Sequence, residues 1–305
     1  MNIKSLLPYI FSAFFILHCS NKENLSEEEQ KYIQSIEQWH ADRIASLKKD
    51  DGWLSLAGLY WLKEGANTFG SSESNDIVFP QKTDPGKLGT IFLGGNKLKV
   101  QIASDAEVIC ENHPVDEMEL IPDAAGKPTI LQFDNLSWYI IKRGDRYGVR
   151  LKDSASSNLK NFKGIETYPI NIKWRIHAKL EPYNPPKTIP VPNVLGDVYD
   201  ESCPGTLVFK IDNETYQLDP IAENDSDKYF IIFADETNGE ETYGAGRFLY
   251  TDAVDSNGYT WIDFNEAYNP PCAFTEFATC PLPPMQNRLP IKINAGEKNY
   301  HGSVH

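Results

Sequence analysis

Apolar residues recur at every second position through Ile172, Trp174, Ile176, Ala178 and Leu180, with Lys173, Arg175, His177 and Lys179 between them. A strand points successive side chains to opposite faces, whereas a helix would scatter these residues around its axis, so the stretch buries one side only as a β-strand. His177 falls on the polar face and is expected in solvent. Shorter runs with the same period occupy 97–102 and 146–151, set off by turn clusters such as Gly94-Gly95-Asn96. Twenty glycines, twenty prolines, fifteen tyrosines and fifteen phenylalanines fit many short strands joined by turns. Further strands are expected at 206–211, 214–218, 229–234, 242–251 and 259–263. Five prolines between Pro182 and Pro192 are expected to interrupt pairing, as at an edge or a connector.

One segment departs from this period. Ser26-Glu27-Glu28-Glu29 forms a capping box, and Tyr32, Ile33, Ile36, Trp39, Ile44 and Leu47 follow at spacings of three and four. Lys48 and Lys49 suit the negative end of a helix dipole, and Asp50-Asp51-Gly52 stops the run. The expected fold class is therefore mainly β, with an amphipathic helix at 26–50 followed by two antiparallel β-sandwich or barrel-like domains at 51–165 and 166–300. Trp39, His40 and Arg43 are read as core packing with a solvated edge.

At the N-terminus, Lys4 precedes an apolar stretch from Leu6 to Leu17, which ends at Cys19. That is a signal-peptide core, too short for a transmembrane helix. Ile16-Leu17-His18-Cys19 resembles a bacterial lipoprotein processing box. The resemblance implies that residues 1–18 are removed, that Cys19 carries lipid, and that 19–25 tether the protein to a membrane of the bacterial cell envelope, facing the periplasm or exterior. The membrane is then a partner through that lipid.

Two further resemblances concern the domains. The run Thr68 to Phe79 is similar to the strand-turn-strand opening of forkhead-associated β-sandwiches, which read phosphothreonine. Ser71 stands where that family places an arginine, and Pro85 to Gly89 supplies neither of its other phosphate donors, so the fold is expected and a phosphopeptide partner is not. The C-terminal run Ala267-Tyr268-Asn269-Pro270-Pro271-Cys272-Ala273-Phe274, with Ala278 to Pro284, Asn287 to Pro290 and Ala295 to Lys298, resembles a prokaryotic family of uncharacterised proteins catalogued as a domain of unknown function. The family implies no reaction.

Charge narrows the partners. Forty-three acidic against 29 basic side chains give −14 at pH 7, which repels a nucleic-acid backbone, so nucleic acid is not expected. Thirteen acidic side chains fall within 196–241 against Lys210 and Lys228 alone, so the negative charge is concentrated at the entry to the second domain. A cleft rimmed by it would favour neutral or cationic ligands. No Gly-x-Ser-x-Gly elbow, His-Glu-x-x-His, phosphate-binding loop or dinucleotide fingerprint occurs in the sequence, and no cofactor is expected. No metal is expected either: the cysteines lack a matched ligand pair, and Glu223 to Asp227 lacks the glycine and distal glutamate of a calcium loop. The four cysteines beyond Cys19 allow three pairings, of which Cys272 with Cys280 is the expected local one.

The candidate site is the polar, aromatic C-terminal segment. Asp235, Arg247 and Asp263 are the candidate catalytic residues, a carboxylate base beside a guanidinium that anchors a small polar substrate. Glu241, Tyr243, Asn265, Tyr268, Asn269 and Arg288 are the candidate binding residues. Two functions stand: binding or hydrolysis of a small polar ligand, or a non-catalytic binding or envelope scaffold module in which these side chains brace loops.

Overall fold

The computed structural model describes residues 25–223 and 227–302. The expected signal peptide, Cys19 and most of the tether lie outside the described residues. The protein is mainly β, with one long helix, Glu27–Leu47, at its start. The capping box forms as the sequence dictates: the Glu29 amide donates to Ser26 Oγ, and the Ser26 amide donates back to the Glu29 carboxylate at 2.9 Å. Ile36 and Leu47 are its buried residues.

The first half builds two sheets around one core. A six-stranded sheet runs in the order Leu56–Trp61, Arg146–Asp153, Leu136–Arg143, Leu131–Phe133, Ile109–Cys110 and His113–Pro114. A five-stranded sheet runs Ile77–Val78, Gly65–Gly70, Gly89–Gly94, Lys97–Ile102 and Glu117–Glu119. All ladders are antiparallel except the two-residue pairing of Phe69 and Gly70 with Ile77 and Val78. Trp138 packs edge-on against Phe69 and Phe79 where the sheets meet, inside a core that includes Ile91, Val100, Val149 and Leu151. Each such side chain taken out of water contributes about 1.5–3 kcal/mol.

The second half pairs a four-stranded sheet, in the order Glu214–Leu218, Val198–Ile211, Arg175–Pro192 and Tyr259–Asp263, with a three-stranded one, Ile221–Ala222, Lys228–Phe233 and Arg247–Asp252. Ile176, Ala178, Leu180, Leu207, Phe209 and Ile262 are buried with Phe233 and Phe264. Arg175, His177 and Lys179 lie on the exposed face, where His177 stacks on Tyr259 at 4.7 Å.

Two strand expectations need correction, and a third is refined. Residues 172–174 form a 3-10 turn rather than the start of the strand, because Asn171 caps the Lys173 amide, and Ile172 is left exposed. The prolines after residue 181 interrupt pairing over 183–186, as expected, without ending the strand. The strand continues to Pro192 past a bulge between Pro182 and Lys187, and only one neighbour pairs with that stretch, so the missing proline donors are tolerated on an edge. The segment 242–246 is not strand: the ladder begins at Arg247. Here Asp235 draws the chain into a turn, accepting from the Thr237 amide and hydroxyl, and Thr237 Oγ1 meets Thr242 Oγ1 at 2.8 Å. Gly246 closes that turn at φ +97°, where a Cβ would collide with Pro283 and the Phe233 carbonyl.

The halves are tied by named contacts. Leu56 packs with Ile189, Val191, Cys203 and Ile232. Arg143 Nε and Arg150 Nη2 both donate to Thr279 Oγ1, at 3.0 and 3.2 Å, within the loop that the Cys272–Cys280 disulfide closes. Cys110 and Cys203 are free thiols. No described helix is long and apolar enough to cross a membrane.

Candidate functional site

Asp235 follows strand Lys228–Phe233 and Arg247 opens the next, so the hairpin brings them together. Their side chains form an ion pair of 2.7 Å with no exposure to solvent on either side. The Arg247 guanidinium also donates to the Ala295 carbonyl at 2.5 Å and to the Ile293 carbonyl at 3.1 Å, while Asp235 Oδ1 accepts from Thr237 and from the Ile293 amide. Every oxygen of Asp235 is thus committed. A carboxylate sealed from solvent in that state is out of reach of a substrate proton, and the pair serves to fix 293–297 against the hairpin.

A second buried charge network lies beside it. Arg43, from the N-terminal helix, sets Nε 3.4 Å from the Glu297 carboxylate and donates from Nη2 to the Asn269 carbonyl at 2.9 Å. Glu297 accepts from the Asn269 amide at 2.7 Å, and Asn269 Nδ2 donates to the Lys298 carbonyl. Burial pushes the Glu297 carboxyl up, against the pull of Arg43. The Arg43 guanidinium lies 4.6 Å over the Tyr268 ring. Arg43 is therefore an interior anchor of the helix rather than a solvated edge.

Asp263 belongs to a different network. Tyr32 donates its hydroxyl to both Asp263 oxygens, at 3.0 and 2.9 Å, and Asn265 donates to Asp263 from its amide and Nδ2. Asn265 is buried, and its Oδ1 accepts from the Asn171 amide. Burial, followed by the Asp263 charge, pushes the Tyr32 phenol far up. Of the other predicted residues, Glu241 is exposed and accepts from Tyr168, Tyr243 packs near Leu47, Leu54 and Phe274, and Arg288 is exposed.

What remains open is a cleft of ≈ 500 Å³ beside Asp263, lined by Trp39, Arg175, Glu223, Lys228, Tyr250, Thr251, Asp252, Trp261, Asp263, Glu266 and Tyr268. The helix supplies one wall and the ends of strands Arg247–Asp252 and Tyr259–Asp263 supply the other. Four aromatic rings stand among its six charged side chains: Trp39 approaches Tyr268 at 6.1 Å, and Tyr250 lies parallel to Tyr268 at 6.5 Å. Arg175 sits 4.6 Å over Trp261 and 4.0 Å from Asp263, Lys228 is 3.9 Å from Asp252, and Tyr250 donates to Glu223 at 3.0 Å. Among the described residues the Glu266 carboxyl has no hydrogen-bond partner. Burial first, then the neighbouring Asp263 and Asp252 carboxylates, push Glu266 up to about 7, with Lys228 and Arg175 pulling the other way. Burial also pulls His40, next to Trp39 on the helix, below its ordinary value.

A larger cavity of ≈ 760 Å³ lies between Ile44, 161–166 and 299–302, with Lys163 and Glu166 as its charged lining. It lacks the concentration of rings and carboxyls that marks the cleft. Among the described residues no group of three or more His, Cys, Asp or Glu side chains is placed to hold a metal ion.

Sequence reasoning named Asp263 and Tyr268 among the cleft residues and missed Glu266, Trp39, Arg175, Glu223 and Lys228 as members of one site. Glu266 stands in the same polar run as Asp263 and Asn265, a signal that proximity alone could have used. Residues 160–298 match a family described as a protein of unknown function (DUF1684). The chain is also similar to the solution NMR structure of an uncharacterised protein of Haloarcula marismortui, with 27% identity over 46% of this chain and 78% of that chain and a TM-score of 0.39. No curated protein matches the chain.

Proposed function

We propose that this protein is a membrane-tethered, extracytoplasmic binding protein for a small polar ligand, and that its site is the cleft around Glu266 rather than the Asp235–Arg247 pair. The observation that carries this reading is the contrast between the two: the ion pair is sealed and fully committed, whereas the cleft holds an unpartnered carboxyl among aromatic rings open to solvent. Concave, aromatic-lined sites with a few placed polar groups are where small ligands bind. Binding is favoured over hydrolysis because Asp263, the one predicted catalytic residue in the cleft, is held by Tyr32 and Asn265.

Thermal-shift screening against a metabolite panel tests the site, using wild type, Glu266→Gln and Trp261→Ala. Trp261 is 47% exposed, so its loss leaves the core intact. At least one compound is expected to raise the wild-type Tm and to lose that effect in both variants. A panel whose shifts all survive in both variants removes the cleft from consideration and leaves the scaffold reading. The tether is supported by Lys4, the apolar run Leu6 to Leu17 and Cys19. Full-length protein should partition with membranes and take up acyl label, and Cys19→Ala should lose both.

A further inference from the structure

The charges and rings of the cleft bear on the class of ligand it would take. Four carboxylates line it, Glu223, Asp252, Asp263 and Glu266, against two cations, Arg175 and Lys228. Arg175 lies nearest Asp263 and Lys228 nearest Asp252, at 4.0 and 3.9 Å. Glu223 is held by the Tyr250 hydroxyl, a neutral donor. Glu266 makes neither an ion pair nor a hydrogen bond among the described residues, and it sits in the field of Asp263 and Asp252. An anion entering here would add repulsion, and a neutral molecule would leave the Glu266 charge uncompensated. A cation would relieve it.

The rings point the same way. The negative face of an aromatic ring attracts a cation within about 6 Å of its centroid, most strongly where water is excluded. Two rings of this cleft already hold guanidinium groups, Tyr268 under Arg43 at 4.6 Å and Trp261 under Arg175 at 4.6 Å. Tyr250 and Trp39 carry no cation of the described chain on their faces and stand in the same lining as Glu266.

We infer that the cleft binds a small organic cation, an ammonium or guanidinium group that pairs with Glu266 and lies against the Trp39 and Tyr250 rings; this rests on the reading of the cleft as a ligand site. Binding is then linked to protons. Glu266 takes up a proton below about pH 7, and the cation competes with that proton. The other titratable and charged groups facing Glu266 are Asp263, Asp252, Glu223, Lys228 and Arg175, with His40 beside Trp39 on the helix. A protonated His40 would repel the ligand at low pH, in the same sense as a neutral Glu266.

Calorimetric titration of the full-length chain in detergent with choline and agmatine tests the inference, alongside dimethylbutanol, the uncharged isostere of choline, and cellobiose, a neutral polar molecule. The inference predicts that choline or agmatine binds at least about tenfold more tightly than either neutral probe. It predicts tighter binding at pH 8.5 than at pH 5.5, and a loss of about tenfold or more in Glu266→Gln at pH 8.5. A neutral probe that binds wild type as well as the cations do, and no longer binds Trp261→Ala, overturns the cation class and leaves the ligand cleft standing. Cation binding that is unchanged in Glu266→Gln overturns the assignment of Glu266. Failure of both cations, together with a metabolite panel that gives no cleft-dependent shift, overturns the ligand site and its class together.

Discussion

Two arginines show how much a residue's role depends on what surrounds it. Arg247 and Arg43 each reach a buried carboxylate, and their guanidinium groups satisfy carbonyls that the C-terminal loop would otherwise leave bare. Removing one partner of such a pair strands the other charge in the interior at a cost of about 3–5 kcal/mol. Arg247→Met should therefore lower unfolding stability by about that amount in urea titration, and a loss below about 1 kcal/mol would mean that the pair is not sealed as described. Glu266 gives the opposite sign. Its folded-state carboxyl is raised to about 7 from 4.5, so the stability it contributes is fully present below about pH 4.5 and is lost as pH rises through 7. Wild type should weaken relative to Glu266→Gln between pH 5 and pH 8, and equal pH profiles would contradict the burial of that carboxyl. Asp235 and Arg247 were legible in the sequence as important polar residues within an apolar context. Bracing of loops was one of the two readings open from the sequence, but the partners at 293–297 were not legible, because they are close only in the fold.

At the scale of elements, period and capping carried most of the information. The helix start at Ser26, and the strands Glu214–Leu218 and Tyr259–Asp263, fall where the sequence places them, since each is a local pattern bounded by turn residues. Long-range pairing set the rest. Strand Arg175–Pro192 resumes after unpaired 183–186 because one side of it needs no donors, and 242–246 turns because Thr237 takes the Thr242 amide and hydroxyl. The disulfide-closed loop is the element on which the two halves converge, through Thr279 and two arginines. Cys272→Ser should lower stability by about 2–4 kcal/mol under oxidising conditions, and the gap from wild type should close when reductant is added. A gap of the same size with and without reductant would show that the cysteine matters for packing alone.

For the whole molecule, the helix joins two of the three charge networks, those of Asp263 and Glu297. Tyr32 holds Asp263, Trp39 walls the cleft, and Arg43 reaches Glu297, so a segment that reads as an ordinary amphipathic helix positions a site whose other residues lie between Arg175 and Tyr268. Charge segregation, by contrast, was visible at once: Glu223, on the cleft, belongs to the acidic stretch 196–241. The cleft itself was not visible, because it draws on five separated stretches of chain and no one of them carries a motif. Two of the six tryptophans, Trp39 and Trp261, line it. The most direct measurement is therefore tryptophan emission during titration with a compound that raises the Tm, in wild type and in the Trp39→Phe/Trp261→Phe variant. The cleft predicts a saturable change in wild type that disappears in the double variant, and a change that persists undiminished there would place the ligand elsewhere.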